Sequence, residues 1–144
     1  MILDLINSDF KQAMRDKNET VLSSLRNLKA ELSNLEIAKQ KPLTEEDVIS
    51  AVNKKIKQHN DSIASFKAGA REDLVAREQQ QMDVLKKYQP KQLSEEEVKT
   101  IVQEVVGKMG GKPEFGKVMG AVMGKVKGLA DGNTVSAAVK SALS

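Results

Sequence analysis

The sequence predicts an all-α protein in two parts, with antiparallel long helices in residues 1–90 and a small three-helix bundle in residues 91–144. Apolar residues recur at intervals of three and four along almost the whole chain, which is the spacing of one face of an α-helix. No segment shows the apolar–polar alternation or the hairpin turns of β-strands. The length of 144 residues accommodates one ordinary domain or two small ones.

The first two helices are expected on either side of Asn18. One covers residues 2–16, and the other begins after Asn18, whose side chain is suited to cap it, and runs to about Lys39. Pro42 prevents a longer helix. The side chains expected to face the core are Leu3, Ile6, Phe10, Met14, Val21, Leu25, Leu28, Leu32 and Leu35.

Two further helices complete the N-terminal part. Thr44 and Asp47 resemble a capping box, which starts a third helix that ends near Gly69. A fourth helix is expected from Arg71 to Tyr88. The inward residues of these two helices are Val48, Val52, Ile56, Ile63, Phe66, Leu74, Met82, Leu85 and Tyr88.

A domain boundary is expected at Pro90, which cannot continue the fourth helix. Ser94 and Glu97 then form a full capping box and open a fifth helix, which the glycine pair Gly110-Gly111 ends. Its inward residues are Val98, Ile101, Val102, Val105, Val106 and Met109.

The last helix is expected to begin at Asn133 or Thr134, after a turn at Asp131-Gly132. Its inward residues are Val135, Ala138, Val139, Ala142 and Leu143. Three successive short helices with the same apolar spacing predict a three-helix bundle.

The helix between Glu114 and Gly132 is expected to carry the function. Its apolar stripe consists of Phe115, Val118, Met119, Val122, Met123 and Val126. The remaining surface, called here the glycine–lysine face, consists of Gly116, Gly120, Gly124, Lys117, Lys125 and Lys127. Interior glycines weaken a helix by about 1 kcal/mol each relative to alanine, which indicates that something comes close to this backbone.

Two kinds of partner fit such a bare surface. Another helix of the same protein approaches closely where small residues recur at every fourth position. A phosphate backbone also fits, because lysines around a flat surface attract nucleic acid without regard to its sequence. The sequence leaves both alternatives open. Lys108 and Lys112, which precede the helix, would add to the positive charge.

Positive charge is concentrated at the C-terminal end. Residues 1–90 hold 15 basic and 14 acidic side chains, whereas residues 105–144 hold six lysines against Glu114 and Asp131. Aromatic residues make up only 3% of the chain, which disfavours a surface that stacks bases. Contacts with RNA are therefore expected to involve its shape and phosphates.

Several other classes of protein are disfavoured. The chain has no cysteine, which excludes disulfides, thiolate metal sites and cysteine nucleophiles. It has no nucleotide-binding or metal-binding motif, so no cofactor and no metal are expected. No apolar run has the length of a membrane span or a signal-peptide core, so the expected location is cytoplasmic, without membrane contact.

Two titratable residues lie on the apolar stripes of helices, and we expect both to have structural roles. His59, the only histidine, lies on the apolar stripe of the third helix and is expected at its edge. Glu78 lies on the stripe of the fourth helix and is expected to form an ion pair with Arg26 or Arg71. No catalytic residue is assigned, and whether the protein is an enzyme stays open.

Several segments resemble the YqeY-like family, also called GatB/YqeY, over nearly the whole chain. The matching residues are Gly69-Ala70-Arg71-Glu72-Asp73-Leu74, Glu78, Leu85–Glu96, Gly116-Lys117-Val118-Met119 and Ala130-Asp131-Gly132. The chain departs from the family at four positions. Gln89 replaces the usual leucine, Gln81 a frequent glutamate, Phe115 a common methionine and Leu129 a common basic residue. The last change removes a positive charge from the expected RNA-binding part.

The resemblance implies that the C-terminal part is similar to the tail of the GatB subunit of the tRNA-dependent amidotransferase. That enzyme uses glutamine to amidate glutamate or aspartate mischarged on tRNA, and its tail helps to engage the tRNA. The implied function is a non-catalytic tRNA-binding or amidotransferase-associated protein. Amidotransferase subunits or a tRNA synthetase are the further implied partners. The expected tRNA-binding residues are Lys108, Lys112, Lys117, Lys125, Lys127, Gly116, Gly120 and Gly124.

Two alternative functions stay open at this point. The family association implies a direct contribution to carbon–nitrogen ligase activity with glutamine as amido-N-donor, although no nucleophile or ATP site is recognisable in the sequence. The other alternative is a helical protein–protein adaptor whose glycine–lysine face packs inside the protein.

Overall fold

The computed structural model describes the whole chain, residues 1–144, as seven α-helices without a β-strand. The helices are α1 (Ile2–Asp16), α2 (Glu19–Lys39), α3 (Glu45–Ala68), α4 (Glu72–Lys86), α5 (Glu95–Met109), α6 (Phe115–Val126) and α7 (Gly132–Leu143). This confirms the all-α class predicted from the sequence. None of the helices combines the length and the apolar character needed to cross a lipid bilayer.

Side-chain caps begin the helices close to where the sequence predicts them. The Asn18 side chain accepts a backbone N–H at the start of α2, and capping boxes at Thr44 and Ser94 start α3 and α5. α7 begins earlier than expected, because Asp131 caps it by accepting the N–H of Thr134 at 2.7 Å. A carboxylate here satisfies a free N–H group and interacts favourably with the helix dipole.

The chain divides into two compact units, an N-terminal unit of Met1–Gln89 and a C-terminal unit of Pro90–Ser144. In the N-terminal unit, α4 packs on α3 and α2, and α1 packs on α2 and α3. Its buried core consists of Ile6, Leu25, Leu28, Leu32, Val48, Ala51, Val52, Ile56, Ile63, Met82, Leu85 and Tyr88. Removal of these side chains from water is the main favourable contribution to folding of this unit.

The C-terminal unit encloses a separate core made mostly of valine. α5, α6 and α7 each contact the other two helices. The buried residues are Val98, Val102, Val105, Val118, Val122, Val126, Val135, Ala138 and Val139. The connector before α5 is tied to the turn after α6, because the Leu93 N–H donates to the Leu129 carbonyl at 2.7 Å. The Gln92 side-chain amide donates to the Gly128 carbonyl at 2.9 Å, so the end of α6 is held in place.

Four apolar side chains expected in the cores are exposed instead, and one of them is Ala142 in the last turn of α7. The other three, Met14, Met109 and Phe115, keep 50%, 41% and 40% of their surface accessible. Each lies in the first or last turn of its helix, beyond the last buried residue of that helix. The apolar spacing gives the correct face of each helix but not the point at which the core ends.

One polar contact closes the N-terminal unit between α1 and the residues after α4. The Tyr88 hydroxyl donates to Asp9 Oδ2 at 2.6 Å, and the Lys87 ammonium donates to the same oxygen at 2.9 Å. The Tyr88 hydrogen bond, followed by that from Lys87, lowers the pKa of Asp9. Burial and the neighbouring carboxylate raise the pKa of Tyr88. The ionised Asp9 therefore stabilises the folded state.

Replacement of Tyr88 by phenylalanine is expected to lower the free energy of unfolding by about 1.5–3 kcal/mol at pH 7, the value of a hydrogen bond to a charged acceptor. The folded-state pKa of Asp9 is depressed, so its contribution is present above the unfolded pKa of about 3.9 and is lost as the pH falls through the folded value. The difference between wild type and variant should therefore shrink below about pH 4. Urea unfolding at pH 7 and pH 3 measures this, and an equal difference at both would contradict it.

Candidate nucleic-acid interface

α6 is oriented by the valines on one side of the helix. Val118, Val122 and Val126 have no exposed surface and pack in the core of the C-terminal unit. Successive residues lie about 100° apart around a helix, so these three valines share one arc. The three glycines of the glycine–lysine face share an arc on roughly the opposite side. Burial of the valines therefore turns the glycines outward.

The three glycines of α6 are open to solvent. Gly116, Gly120 and Gly124 are all exposed, and a Cβ atom added at any of them would meet nothing within 4 Å. No helix of the C-terminal unit covers them. Internal packing, one of the two alternatives that the sequence leaves open, therefore does not account for these glycines, and the helix carries a bare stripe of backbone on its surface.

The lysines expected around this stripe are exposed as well. They are Lys108, Lys112, Lys117, Lys125 and Lys127. On the helical projection Lys117 lies directly beside the glycine arc, and Lys125 lies between that arc and the valines. None of the ion pairs in the structure involves Lys117 or Lys125. Their positive charge is available to a partner.

The N-terminus of α6 lacks the cap that α5 and α7 have. Glu114 precedes the helix, but its side chain makes no capping hydrogen bond. The first N–H groups of a helix have no partner within the helix and carry partial positive charge. The glycine–lysine face therefore begins at an end of the helix that adds to its positive potential, opposed locally by the Glu114 carboxylate.

The turn between α5 and α6 depends on two glycines. Gly110 and Gly111 adopt φ values of 65° and 59°, in the left-handed region that side chains other than glycine seldom adopt. This turn ends α5 and leads the chain directly into α6. Lys108 and Lys112, which flank the two glycines, are thereby placed at the N-terminal end of the glycine–lysine face.

The predicted partners of Glu78 differ from the observed one. Glu78 Oε2 lies 2.5 Å from His59 Nδ1, and the two side chains are 23% and 15% exposed. Arg26 is exposed, and Arg71 pairs with Asp73 at 3.4 Å. α3 packs on α4 and brings His59 opposite Glu78, whereas Arg71 lies seven residues, or about 10 Å, away along the helix axis. The contact joins two helices inside the N-terminal unit.

The acidic residues and His59 do not form a metal site. No group of three or more histidine, aspartate or glutamate side chains is arranged to hold a metal ion. The first-turn acidic residues of α3 and α5 act at helix N-termini, where Asp47 and Glu97 complete the capping boxes.

Comparison with known proteins gives one family and several relatives. The model of the family described as Yqey-like protein matches residues 3–143. A protein of Pyrenophora tritici-repentis named "Altered inheritance of mitochondria protein 41, mitochondrial" is 35% identical over 122 residues, which is 83% of this chain and 67% of that protein. Proteins of the same name from Saccharomyces cerevisiae and Candida glabrata are 41% and 33% identical, each over 60% of this chain.

The relatives correct the location expected from the sequence. Their names place them in mitochondria, which contradicts the cytoplasmic location that was inferred from the lack of a long apolar run. The chain spans about half the length of the Saccharomyces cerevisiae and Candida glabrata proteins, at 47% and 49%. The lack of a long apolar run does not argue against every kind of targeting segment, because mitochondrial transit peptides are amphipathic rather than continuously apolar.

Proposed function

The chain belongs to the YqeY-like family, and we propose that it is a non-catalytic tRNA-binding protein whose C-terminal unit contacts RNA through the glycine–lysine face. The observation that carries this proposal is the open surface at Gly116, Gly120 and Gly124 beside the unpaired Lys117. A bare cationic surface suits a phosphate backbone, which needs close approach and positive charge but no base-specific side chains.

The glycines support binding because they destabilise α6 and no packing within the C-terminal unit compensates for that loss. Each weakens α6 by about 1 kcal/mol relative to alanine, and no side chain of the C-terminal unit fills the space that they leave. The close approach of an external ligand to the helix backbone would explain why glycine occupies these positions. The lysines at both ends of the helix favour a ligand with negative charge.

The family resemblance supports tRNA as the particular nucleic acid. The C-terminal unit resembles the tail of the GatB subunit, which helps to engage tRNA, whereas the catalytic centres of that amidotransferase lie in parts that this chain does not resemble. No contact in the structure favours a direct role of this chain in glutamine-dependent amidation. We therefore assign the chain a binding role, in which an amidotransferase subunit or a tRNA synthetase would be joined through the bound tRNA.

Charge reversal at Lys117 is expected to weaken tRNA binding and to reduce its salt dependence. If about four lysines neutralise phosphates, the affinity of the wild type should fall roughly 50-fold for a threefold rise in salt, and loss of one contact should reduce the logarithmic slope by about 1. Fluorescence anisotropy with bulk tRNA at several salt concentrations measures both quantities for the wild type and Lys117→Glu. The matched control is Lys11→Glu on α1, which changes the net charge equally.

The tRNA-binding proposal is tested by the difference in affinity and salt dependence between the two variants. Lys117→Glu should lose affinity and slope, whereas Lys11→Glu should keep both close to the wild type. Weak binding that is equal in all three proteins and insensitive to salt would remove the basis for a tRNA-binding function.

A pull-down with and without RNase separates direct protein partners from those joined through RNA. We expect amidotransferase subunits or a tRNA synthetase to be retained only while the RNA is intact. Retention after RNase treatment would instead favour the adaptor function.

A further inference from the structure

A groove in the N-terminal unit lies between α1 and the second half of α2. Its apolar lining comes from Leu3 of α1, Leu32 of α2 and Leu43 of the segment after α2, and its volume is about 390 Å³. Ile37 also lines this groove and keeps 73% of its surface exposed, more than any other large apolar side chain except Met1. The same surface therefore holds an apolar cavity and a projecting apolar side chain that is not packed within the chain.

The α2 side of this groove carries two opposite charges on either side of a small residue. Four of its residues lie within about 100° of one another around the helix, namely Lys29, Ser33, Glu36 and Ile37. Lys29 and Glu36 are two helical turns apart, about 10 Å along the axis, and Ser33 lies near the midpoint between them. Neither charge belongs to an ion pair within the chain, although the Lys29 ammonium lies 4.3 Å from the centroid of the Phe10 ring.

We infer that this face of α2 is the contact surface between two copies of the chain, which pair about a two-fold axis that crosses α2 near Ser33. In such a pair the two α2 helices are antiparallel, and every contact occurs twice. Lys29 of each copy then lies opposite Glu36 of the other, because the two residues are almost equally distant from the axis. The inference does not depend on the proposed RNA-binding function, which concerns the C-terminal unit.

The apolar contacts have the same symmetry as the charges. Ile37 follows Ser33 by four residues and Lys29 precedes it by four, so Ile37 of each copy meets the other copy's groove at its Lys29 side, where the aliphatic stem of the lysine covers it. Serine at the crossing point allows the two helices to approach to the 8–10 Å that packed helices keep, roughly the closest helix contact. Removal of Ile37 and the groove from water favours association, and the two charge pairs fix the register.

Self-complementarity favours a second copy over other occupants of the groove. A surface that holds a cavity, a side chain to fill it and two opposite charges placed symmetrically about its centre matches itself after a two-fold rotation. A nucleic acid would meet the Glu36 carboxylate and an apolar lining, neither of which suits phosphates.

Sedimentation velocity of the full chain, from low micromolar to submillimolar concentration, tests the contact. We expect a reversible equilibrium between monomer and dimer. Ile37→Asp should raise the dissociation constant of the dimer by about tenfold or more, because it buries a charge in the apolar contact at two symmetric positions. Since Ile37 is exposed in the single chain, this variant should keep the wild-type fold, which thermal melting by circular dichroism checks.

Two charge reversals test the register. Lys29→Glu and Glu36→Lys should each weaken self-association by about tenfold, because each places like charges opposite one another at two positions. An equimolar mixture of the two variants should dimerise as the wild type does, because one variant is acidic at both positions and the other basic at both. The matched control is Lys57→Glu, an exposed residue of α3 outside the groove, which should associate as the wild type does.

Recovery of the dimer in the mixture would support the paired arrangement of Lys29 and Glu36, since two misfolded variants could not restore each other. A wild-type chain that stays monomeric over the whole concentration range would overturn the inference. A dimer that is unaffected by Ile37→Asp and by both charge reversals would mean that the copies meet at another surface, and would overturn it as well.

Discussion

Replacement of Gly116, Gly120 and Gly124 together by alanine is expected to stabilise the C-terminal unit while weakening its binding to tRNA. Glycine costs about 0.8–1.0 kcal/mol relative to alanine at each interior helical position, and the added methyl groups meet open space. We therefore expect the free energy of unfolding to rise by about 2–3 kcal/mol. For a unit of this size the melting temperature should rise by roughly 10–20 °C.

Binding should change in the opposite direction, because the methyl groups occupy the surface that the phosphate backbone approaches. The lysines remain, so the salt dependence of the affinity should stay close to that of the wild type while the affinity falls at every salt concentration, by roughly tenfold or about 1.4 kcal/mol. This pattern differs from that expected for Lys117→Glu, which removes charge and reduces the slope. The two variants thus separate close approach from electrostatic attraction.

Gly107→Ala is the matched control for the triple variant. Gly107 is an exposed glycine of α5 at which an added Cβ also meets nothing within 4 Å. It should stabilise the unit by about 1 kcal/mol and leave tRNA affinity unchanged. If the triple variant were stabilised but bound tRNA as tightly as Gly107→Ala does, the bare stripe of α6 would have no part in binding. A loss of stability would mean that the glycines are packed against something.

The second large effect is expected in the N-terminal unit, where Leu28→Ala should lower the free energy of unfolding by about 3 kcal/mol. Leu28 has no exposed surface and lies in the core of that unit, so its truncation leaves a cavity and loses the transfer free energy of the removed atoms. Its control on the same helix is Arg26→Ala, which is exposed and should stay within about 0.5 kcal/mol of the wild type. Urea unfolding followed by circular dichroism measures both.

The same variant tests where the RNA site lies. The two units have separate cores, so tRNA affinity measured at a temperature where Leu28→Ala is folded should equal that of the wild type. A loss of affinity in proportion to the loss of stability would place part of the binding surface on the N-terminal unit. If Leu28→Ala lowered the free energy of unfolding no more than Arg26→Ala does, the position of Leu28 in the core would be contradicted.

Local sequence signals were sufficient for the helices and most of their caps. The capping boxes at Thr44 and Ser94 and the cap at Asn18 involve residues three apart, and such contacts are set by the sequence of a single turn. The sequence does not locate the start of α7, because Asp131, Asn133 and Thr134 are all suitable caps and the choice among them depends on how the last helix packs.

Contacts between helices could not be predicted from spacing alone. His59 and Glu78 are 19 residues apart, and Asp9 and Tyr88 are 79 apart, so both pairs depend on how α1, α3 and α4 pack. The apolar stripe of α6 predicted burial of Phe115, whose exposure follows from the end of the core at Val118. No feature of the sequence distinguishes an open glycine stripe from a packed one, because both require small residues at the same spacing.

Backbone amide chemical shifts of the isotopically labelled chain, followed during titration with tRNA, show residue by residue whether tRNA binds on the open glycine–lysine face of α6. We expect the largest shifts on Gly116, Lys117, Gly120 and Gly124 and on the turn before α6, with little change in the N-terminal unit. Shifts concentrated instead on other basic surfaces, such as Lys54 and Lys55 of α3, with the glycines of α6 unmoved, would contradict it.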